Sequence, residues 1–362
     1  MQKTLSSPIF LSVLALMGLG LVQVYSSSYI YAIEGFGNGL FFFQKQVFFT
    51  LASILVLLLA SQIPYHHLRS WFWAVWIFAG FSLLLTFIPG LGVRVGGAVR
   101  WLRLPMGFRL EPSELLKVSL SLFVAGLTIR SETPMGKVPL GVLLLLLVLP
   151  LVLLLQQPDF GAFVILSAVI LIYLFVYGLR WRYIVATVAL TLPAFYFLVM
   201  NVPYRRARVL AFLDPWSDPE QKGFQVIQSL ISFSSGGFWG VGLGQGQGKL
   251  FFLPEAHTDF TLAVFGEETG FLGFVCLMGL YGFLMFKGLQ LSTRARDPFA
   301  RSLALGLTAT FGLNVVVNVG VALGIVPPKG LTLPFLSYGG SSLMAMAALF
   351  GLLMNIDNNQ RT

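Results

Sequence analysis

The chain has 362 residues, of which 57% are hydrophobic and only 10% are charged, and its formal net charge is +9. A soluble domain of this length could not bury so much apolar surface, so the composition excludes a soluble globular protein and predicts a polytopic membrane protein. The single cysteine, Cys276, excludes an intrachain disulfide, and three histidines without spaced cysteine partners argue against a zinc site.

Ten apolar segments are long enough to cross a bilayer. They predict an all-α polytopic membrane protein with about ten transmembrane helices, in a single domain that covers residues 1–362. Lys3 precedes the first segment, but its apolar run is too long for a typical signal peptide, so we interpret it as a helix. The segments are 8–28, 43–62, 70–89, 111–130, 138–156, 161–179, 183–201, 258–286, 300–325 and 340–356.

The short basic loops predict the orientation. Residues 66–69, 130–137, 180–182 and 287–296 fall on one side of the membrane by parity, which the positive-inside rule assigns to the cytoplasm, together with both termini. Two long loops, about 90–110 and about 202–257, fall on the outer side and are also rich in Lys and Arg. An anionic substrate on the outer face would explain that charge, and pairing with loop acids and lipid headgroups is the alternative.

The loop at about 90–110 leads into a charged helix start. Pro112 and Ser113 are suitable residues to begin a helix, and Glu114 and Lys117 are three residues apart, so they share a helix face. The two charges could neutralise each other and hold helices in register, or the lysine could face a phosphate group. Both interpretations stay open on the sequence alone.

The loop at about 202–257 lies between the seventh and eighth segments and has three parts. Residues 214–219 are rich in turn formers, and residues 224–233 have apolar positions at helical spacing, which predicts an amphipathic helix. Seven glycines between 236 and 248 favour a tightly turning loop that brings backbone N–H groups close to a ligand. A phosphate-binding Walker A loop is excluded because Leu243 and Leu250 occupy two of its required positions.

Asp259 stands where this loop enters the next apolar segment. A carboxylate at a membrane boundary is energetically costly, so its presence beside a cationic loop makes it a candidate functional group. Glu255 is a rival for the same chemistry, and His257 could orient the loop, contact a sugar or bond to backbone. Glu267 and Glu268 are interpreted mainly as structural or pocket-ordering groups.

The last outer loop, residues 327–342, is kept non-helical by proline and glycine. Such backbone at membrane depth is tolerated only where it is buried in protein or lines a wet cavity. Lys329 and the hydroxyl groups of Ser337 and Ser341 could line that cavity. The short connection 156–161 is predicted to face the same side.

Seven segments, taken together in this order, resemble the SEDS family (shape, elongation, division and sporulation) of polytopic peptidoglycan polymerases, over nearly the whole chain. Residues 327–334 resemble the FtsW division branch of that family more than the RodA elongation branch. Glu111 and Phe224 depart from the family pattern, where a glutamine and a tyrosine are usual. The segments are 97–102, 112–117, 157–161, 208–219, 225–229, 253–260 and 329–342.

The resemblance implies an enzyme that polymerises lipid II into glycan strands on the outer face of the bacterial cytoplasmic membrane, with a role in cell division favoured over elongation. Asp259 matches the family's essential aspartate, and we expect it to act as the general base, a contribution on the order of 10²–10⁴-fold. Cations would stabilise the undecaprenyl pyrophosphate leaving group. The expected substrate-binding residues are Arg100, Ser113, Glu114, Lys117, Arg208, Lys249, Glu255, His257, Lys329, Ser337 and Ser341.

The sequence requires no cofactor and predicts no protein metal site, although a divalent cation (Mg²⁺ or Mn²⁺) could share the charge of the pyrophosphate. The chain lacks the Ser-x-x-Lys set of a serine transpeptidase, so a class B penicillin-binding protein is the expected partner, with other divisome or elongasome membrane proteins and no nucleic acid. A lipid II transporter or flippase, or a non-catalytic scaffold of the wall-synthesis complex, are the alternatives. A transporter is expected to have paired broken helices in two matching halves of the chain, and the sequence shows no such repeat.

Overall fold

The computed structural model describes residues 6–95, 98–128, 140–178, 212–219, 223–253, 255–327 and 330–360, with isolated positions between 181 and 206. Over these residues the protein is mainly helical. The helices are α1 (Pro8–Phe36), α2 (Phe41–Gln62), α3 (Tyr65–Leu85), α4 (Pro112–Thr128), α5 (Leu140–Gln156), α6 (Phe160–Val176), α7 (Phe224–Gly236), α8 (Thr261–Arg294), α9 (Pro298–Ala322) and α10 (Gly340–Gln360).

Nine of the ten predicted apolar segments coincide with helices among the described residues, which confirms the polytopic all-α class. Helices α1 and α8 run further than predicted, to Phe36 and Arg294. Within the described part of the chain, six helices are long and apolar enough to cross a membrane by themselves, and α5 and α6 contain shorter apolar stretches. Most of the seventh segment, 183–201, lies outside the described residues, so the count of ten spans stays a prediction.

A small antiparallel sheet, which the sequence analysis did not predict, fills the loop between α3 and α4. Its strands are β1 (Gly92–Val95), β2 (Ala98–Arg103) and β3 (Arg109–Leu110), in the order β1-β2-β3. Because side chains alternate along a strand, Arg100 shares the inward face of β2 with buried Ala98 and Leu102. Its guanidinium Nη2 donates to the carbonyl of Pro158, at the start of α6. The sheet therefore directs one cation into the helix bundle.

Helix α9 is the centre of the bundle and packs against α4, α6, α8 and α10. Its neighbours approach closely because it carries small residues at the contacts. A Cβ on Gly306, for example, would lie 1.9 Å from the hydroxyl of Tyr173 on α6. One end of the bundle, which we call the loop-rich end, gathers the connections 86–111, 157–159, 237–260 and 323–339. These connections touch one another, as the bonds from Arg100 to Pro158 and from Tyr338 N to His257 O demonstrate.

Helix α8 is interrupted near its beginning. Gly270 has φ 67° and ψ −168°, a conformation outside the helical region. The interruption frees two carbonyls and two N–H groups of α8, and the adjacent segment 237–247, which we call the glycine loop, satisfies all four. The hydrogen bonds are Val241 N to Glu267 O (3.0 Å), Gly242 N to Glu268 O (3.1 Å), Phe271 N to Gly237 O (2.9 Å) and Leu272 N to Phe238 O (3.2 Å).

Glycines are required at this junction for two reasons. Gly240, Gly242, Gly244 and Gly270 all have positive φ, which favours glycine. A Cβ on Gly270 would also lie 2.3 Å from the backbone N of Gly240. Beyond the break, residues 271–294 extend about 36 Å, enough for the ~30 Å hydrocarbon core of a bilayer. Residues 261–269 therefore project from the spanning part toward the loop-rich end.

Candidate functional site

Asp259 lies at the loop-rich end, half-buried, two residues before α8 begins. Its backbone carbonyl accepts a hydrogen bond from Asn318 Nδ2 at 3.2 Å, which ties it to α9. Its Oδ2 atom and Arg100 Nη1 both lie 3.5 Å from the point where a Cβ of Gly330 would stand. The carboxylate and the guanidinium thus face a common space, left open because residue 330 has no side chain.

A buried ion pair is attached to the same helix, α9, as the backbone of Asp259. Lys117 Nζ lies 2.8 Å from Glu114 Oε1, as the three-residue spacing predicted, and both side chains are 5% exposed or less. Lys117 Nζ also donates to Asn314 Oδ1 at 3.2 Å. Asn314 and Asn318 are one turn apart on α9, about 6 Å along its axis. Helix α9 therefore links the ion pair to the backbone of Asp259.

A third carboxylate faces the same region. Asp159 caps α6, since its Oδ1 accepts from Ala162 N at 3.2 Å, and the residue is buried. Within the part of the chain that the structure describes, Asp159 Oδ2, Glu114 Oε2 and Arg100 Nε are buried without a hydrogen-bond partner. Buried polar atoms are normally paired, so these three atoms mark positions where water or a bound group is expected.

Glu111 ends the loop before α4 and was not among the predicted site residues. Its Oε1 accepts from Ser113 Oγ at 3.2 Å. Loss of solvation, with the charges of Glu114 and Asp159, raises its pKa to about 8, against the opposing effect of Lys117 and Arg100. Glu111 therefore keeps a proton at neutral pH, and the net negative charge of the cluster is smaller than a count of its carboxyl groups suggests.

This proton makes stability depend on pH. The folded state keeps it up to about pH 8, whereas an unfolded glutamate releases it near 4.5, so the free energy of unfolding falls as pH rises between these values. We expect the unfolding midpoint of the wild type to fall more between pH 5 and pH 8.5 than that of Glu111→Gln. Glu34→Gln, at an exposed glutamate of α1, is the matched control. Equal pH slopes for all three proteins would contradict the assignment.

His257 is held among aromatic rings in the loop before Asp259. Its ring stacks on Tyr31 at a centroid distance of 5.3 Å and lies 4.8 Å from Phe42 and 6.0 Å from Tyr338. Burial lowers the pKa of His257, against the opposing charge of Glu255, so the imidazole is neutral near pH 7. Its backbone carbonyl accepts from Tyr338 N at 2.9 Å. These contacts fit the predicted orienting role.

Glu255, the rival carboxylate, is exposed and adopts φ 57°. Its Oε2 accepts from Thr258 Oγ1 at 2.8 Å. It therefore stabilises the turn before Asp259, and nothing in these contacts places it beside Arg100.

Lys249 is engaged in a second buried ion pair. Its Nζ lies 2.7 Å from Glu268 Oε1 and donates to Ser26 Oγ on α1 at 2.8 Å. Glu267 binds backbone instead, accepting from Gln247 N at 2.8 Å and from Gly248 N at 3.1 Å. These bonds agree with the structural interpretation of both glutamates. The bonds of Lys249 to Glu268 and Ser26 are enough to explain its burial, so a role of Lys249 in substrate binding stays a prediction.

The predicted serines make local hydrogen bonds. Ser113 Oγ donates to Glu111, Ser337 Oγ accepts from Leu333 N at 3.0 Å, and Ser341 Oγ joins Arg109 O to Glu111 N. Ser337 and Ser341 thus hold the last loop and the sheet in place around the site. Arg208 and Lys329 lie outside the described residues.

Four residues near the site were missed as site residues from the sequence: Glu111, Asp159, Asn314 and Asn318. Two asparagines one turn apart in the mainly apolar second half of α9 are a signal that could have identified the last two, because polar groups within a membrane segment are costly. Among the described residues, no group of three or more His, Cys, Asp or Glu side chains could hold a metal ion.

Comparisons with known proteins identify the family of the chain. A family model described as cell cycle protein, covering FtsW, RodA and SpoVE, matches residues 7–362. A protein of Geobacter metallireducens named "Probable peptidoglycan glycosyltransferase FtsW" is 42% identical over 98% of this chain and 94% of its own length. A protein of the same name from Geobacter sulfurreducens is 43% identical over 96% of this chain and 94% of its own.

Two solved structures share the fold. A peptidoglycan synthase complex that coordinates polymerization and crosslinking contains a chain with a TM-score of 0.79 and 32% identity, with 97% of each chain covered. The rod shape determining protein RodA of Thermus thermophilus has a TM-score of 0.71 and 27% identity, over 98% of this chain and 97% of its own.

Proposed function

The chain belongs to the FtsW/RodA/SpoVE family of cell cycle proteins and is a peptidoglycan glycosyltransferase, and we propose that it polymerises lipid II with Asp259 as the general base. The site would lie on the outer face of the cytoplasmic membrane, with both termini in the cytoplasm. The relatives that carry the division name, FtsW, favour septal wall synthesis over elongation.

The observation that carries the mechanism is that Asp259 and Arg100 border the same space above Gly330. In the proposed reaction, the 4-hydroxyl of an acceptor N-acetylglucosamine attacks the anomeric carbon of a lipid-linked N-acetylmuramic acid. The bond from that carbon to the pyrophosphate oxygen breaks, and the oxygen keeps the electron pair. Asp259 takes the hydroxyl proton.

The leaving group needs positive charge more than it needs an acid, because pyrophosphate is already a stable anion. Arg100 has an N–H group without a partner among the described residues, and Lys117 is one α9 turn from the same space. Arg208 and Lys329 are further candidates from the sequence. A Mg²⁺ or Mn²⁺ ion carried by the pyrophosphate oxygens could share this role.

The polyprenyl chain of the substrate needs an apolar path. A groove of about 630 Å³ lies between α1 and α8 and is lined almost entirely by apolar side chains, among them Leu19, Val22, Phe265, Leu277 and Phe283. We propose that it accepts part of a prenyl chain.

A partner must supply the peptide crosslinks, since the chain lacks a serine-transpeptidase set. The similarity to a chain of a complex that coordinates polymerization and crosslinking supports a transpeptidase of the class B penicillin-binding type.

The deciding experiment incubates the purified protein, with and without its co-purified transpeptidase, with lipid II. Long glycan strands are the expected product, and they should be degraded by a muramidase. The same protein in liposomes is assayed for transfer of lipid II across the bilayer. Transfer without polymer would favour a flippase, and neither activity in the presence of the partner would favour a scaffold.

A further inference from the structure

A second, polar cavity lies beside α8, away from the space between Asp259 and Arg100. Its volume is about 560 Å³, and it is an open depression bordered by α7, the glycine loop with the adjoining Gly248, and the first part of α8. Six side chains with hydrogen-bonding groups line it: Gln228, Ser232, Ser235, Gln245, Gln247 and Glu267. The reaction proposed above uses none of them.

The wall of this cavity is built around Glu267, which is 3% exposed. Both of its carboxylate oxygens accept backbone N–H groups, from Gln247 at 2.8 Å and Gly248 at 3.1 Å. A Cβ on Gly248 would lie 2.4 Å from Ser232 Oγ and 2.9 Å from Glu267 Oε2, so only glycine lets the loop approach so closely. The polar groups are therefore fixed in position before any ligand arrives, which lowers the entropic cost of binding.

The lining defines the chemistry of the ligand. Carboxamides and hydroxyls both donate and accept hydrogen bonds, which suits a ligand with hydroxyl and acetamido groups. No Lys, Arg or His is among the described residues that line the cavity, so it offers no charge to a phosphate or pyrophosphate. Ile231 and Val241 are its only large apolar side chains among those residues, too few for a prenyl chain. Its volume is within the range of about 300–1,000 Å³ typical of ligand sites.

The cavity is also within reach of the reaction. Glu267 is six residues beyond the first residue of α8, Thr261, which corresponds to about 9 Å along the helix, and Asp259 lies two residues before that start. We propose that this cavity binds the N-acetylated sugar chain of the glycan strand, a short distance from the sugar that reacts at Asp259. The inference rests on the proposed function, and it assigns the glycine loop a role in holding the strand between successive additions.

The test separates sugar binding from polymerisation. The probe is the neutral β-1,4-linked tetramer of N-acetylglucosamine, which has neither lipid nor pyrophosphate, and its binding to the full-length protein in detergent is measured by calorimetry. We expect the wild type and Asp259→Asn to bind it with the same Kd. Ser235→Trp fills the cavity from an exposed position, and we expect it to weaken binding at least tenfold. Gln44→Ala, at an exposed glutamine of α2, should bind as the wild type does.

A second measurement uses lipid II. Ser235→Trp should still form glycosidic bonds but release shorter strands than the wild type, since the growing strand is held less firmly. Failure of the wild type to bind the tetramer, or equal binding by Ser235→Trp, would overturn the inference even if lipid II is polymerised. Binding that is lost in Ser235→Trp in a protein that makes no polymer would support the sugar site and count against the proposed function.

Discussion

Replacing Asp259 by asparagine is expected to lower the rate of lipid II polymerisation by a factor of at least about 10², while binding of lipid II is retained. The carboxylate is the proton acceptor in the proposed reaction, and a positioned base contributes on the order of 10²–10⁴-fold. An amide of the same shape cannot take the proton. The measurement is the initial rate of glycan formation by the purified protein with its transpeptidase partner.

The substitution should leave the fold intact. The bond from Asn318 reaches the backbone carbonyl of residue 259 and not its side chain, so the anchor to α9 is preserved. An unchanged unfolding midpoint would therefore separate loss of chemistry from loss of structure.

Glu255→Gln is the matched control, because it removes the other carboxylate of the same loop. Glu255 is exposed and bonded to Thr258, so we expect polymerisation to fall less than about threefold, as surface changes usually have small effects. The reverse pattern, with Glu255→Gln inactive and Asp259→Asn active, would transfer the role of base to Glu255.

The sequence was a good guide to the long helices because each of them coincides with a nearly continuous apolar run, and α7 could be predicted from the helical spacing of its apolar residues. Its one clear omission in secondary structure was the sheet, whose strands have four, six and two residues, too short to give a reliable alternating pattern. Glycine density around residues 236–248 correctly indicated a tight turn. It could not indicate that this turn hydrogen-bonds the backbone groups left free by the interruption of α8, because the pairing of these two segments depends on tertiary contacts.

In the site as well, a contact between residues close in the sequence could be predicted, whereas contacts between distant residues could not. Glu114 and Lys117 could be paired from their spacing, because residues three apart on a helix are neighbours. Arg100 and Asp259 are far apart in the chain, and their proximity depends on the sheet, on Gly330 and on α9. Lys249 was predicted to bind substrate because an anionic substrate would explain the positive charge of the outer loops. Its pairing with Glu268, nineteen residues later, follows from the fold of the glycine loop and has no helical periodicity to reveal it.

The second large effect is expected at the buried ion pair. Lys117→Met leaves the Glu114 carboxylate buried without its cation, and we expect a loss of about 3–5 kcal/mol in the free energy of unfolding. The double variant Lys117→Met with Glu114→Gln removes both charges, so most of that loss should be recovered. The measurement is the unfolding midpoint of both proteins in detergent, with Lys287→Met, at a partly exposed lysine near the far end of α8, as the control.

Polymerisation by the double variant then separates a structural role of Lys117 from a role toward the pyrophosphate. A lysine has three N–H donors, and Glu114 and Asn314 account for two of them among the described residues. We expect the third donor to be directed at the leaving group. The double variant, although stable, should then polymerise lipid II on the order of 10²-fold more slowly than the wild type, which is the effect of removing one donor to a developing anion. A double variant that is both stable and fully active would show that the pair only holds α4 to α9. In that case the charge on the leaving pyrophosphate would have to be stabilised by other cations, and among the described residues Arg100 borders the same space as Asp259.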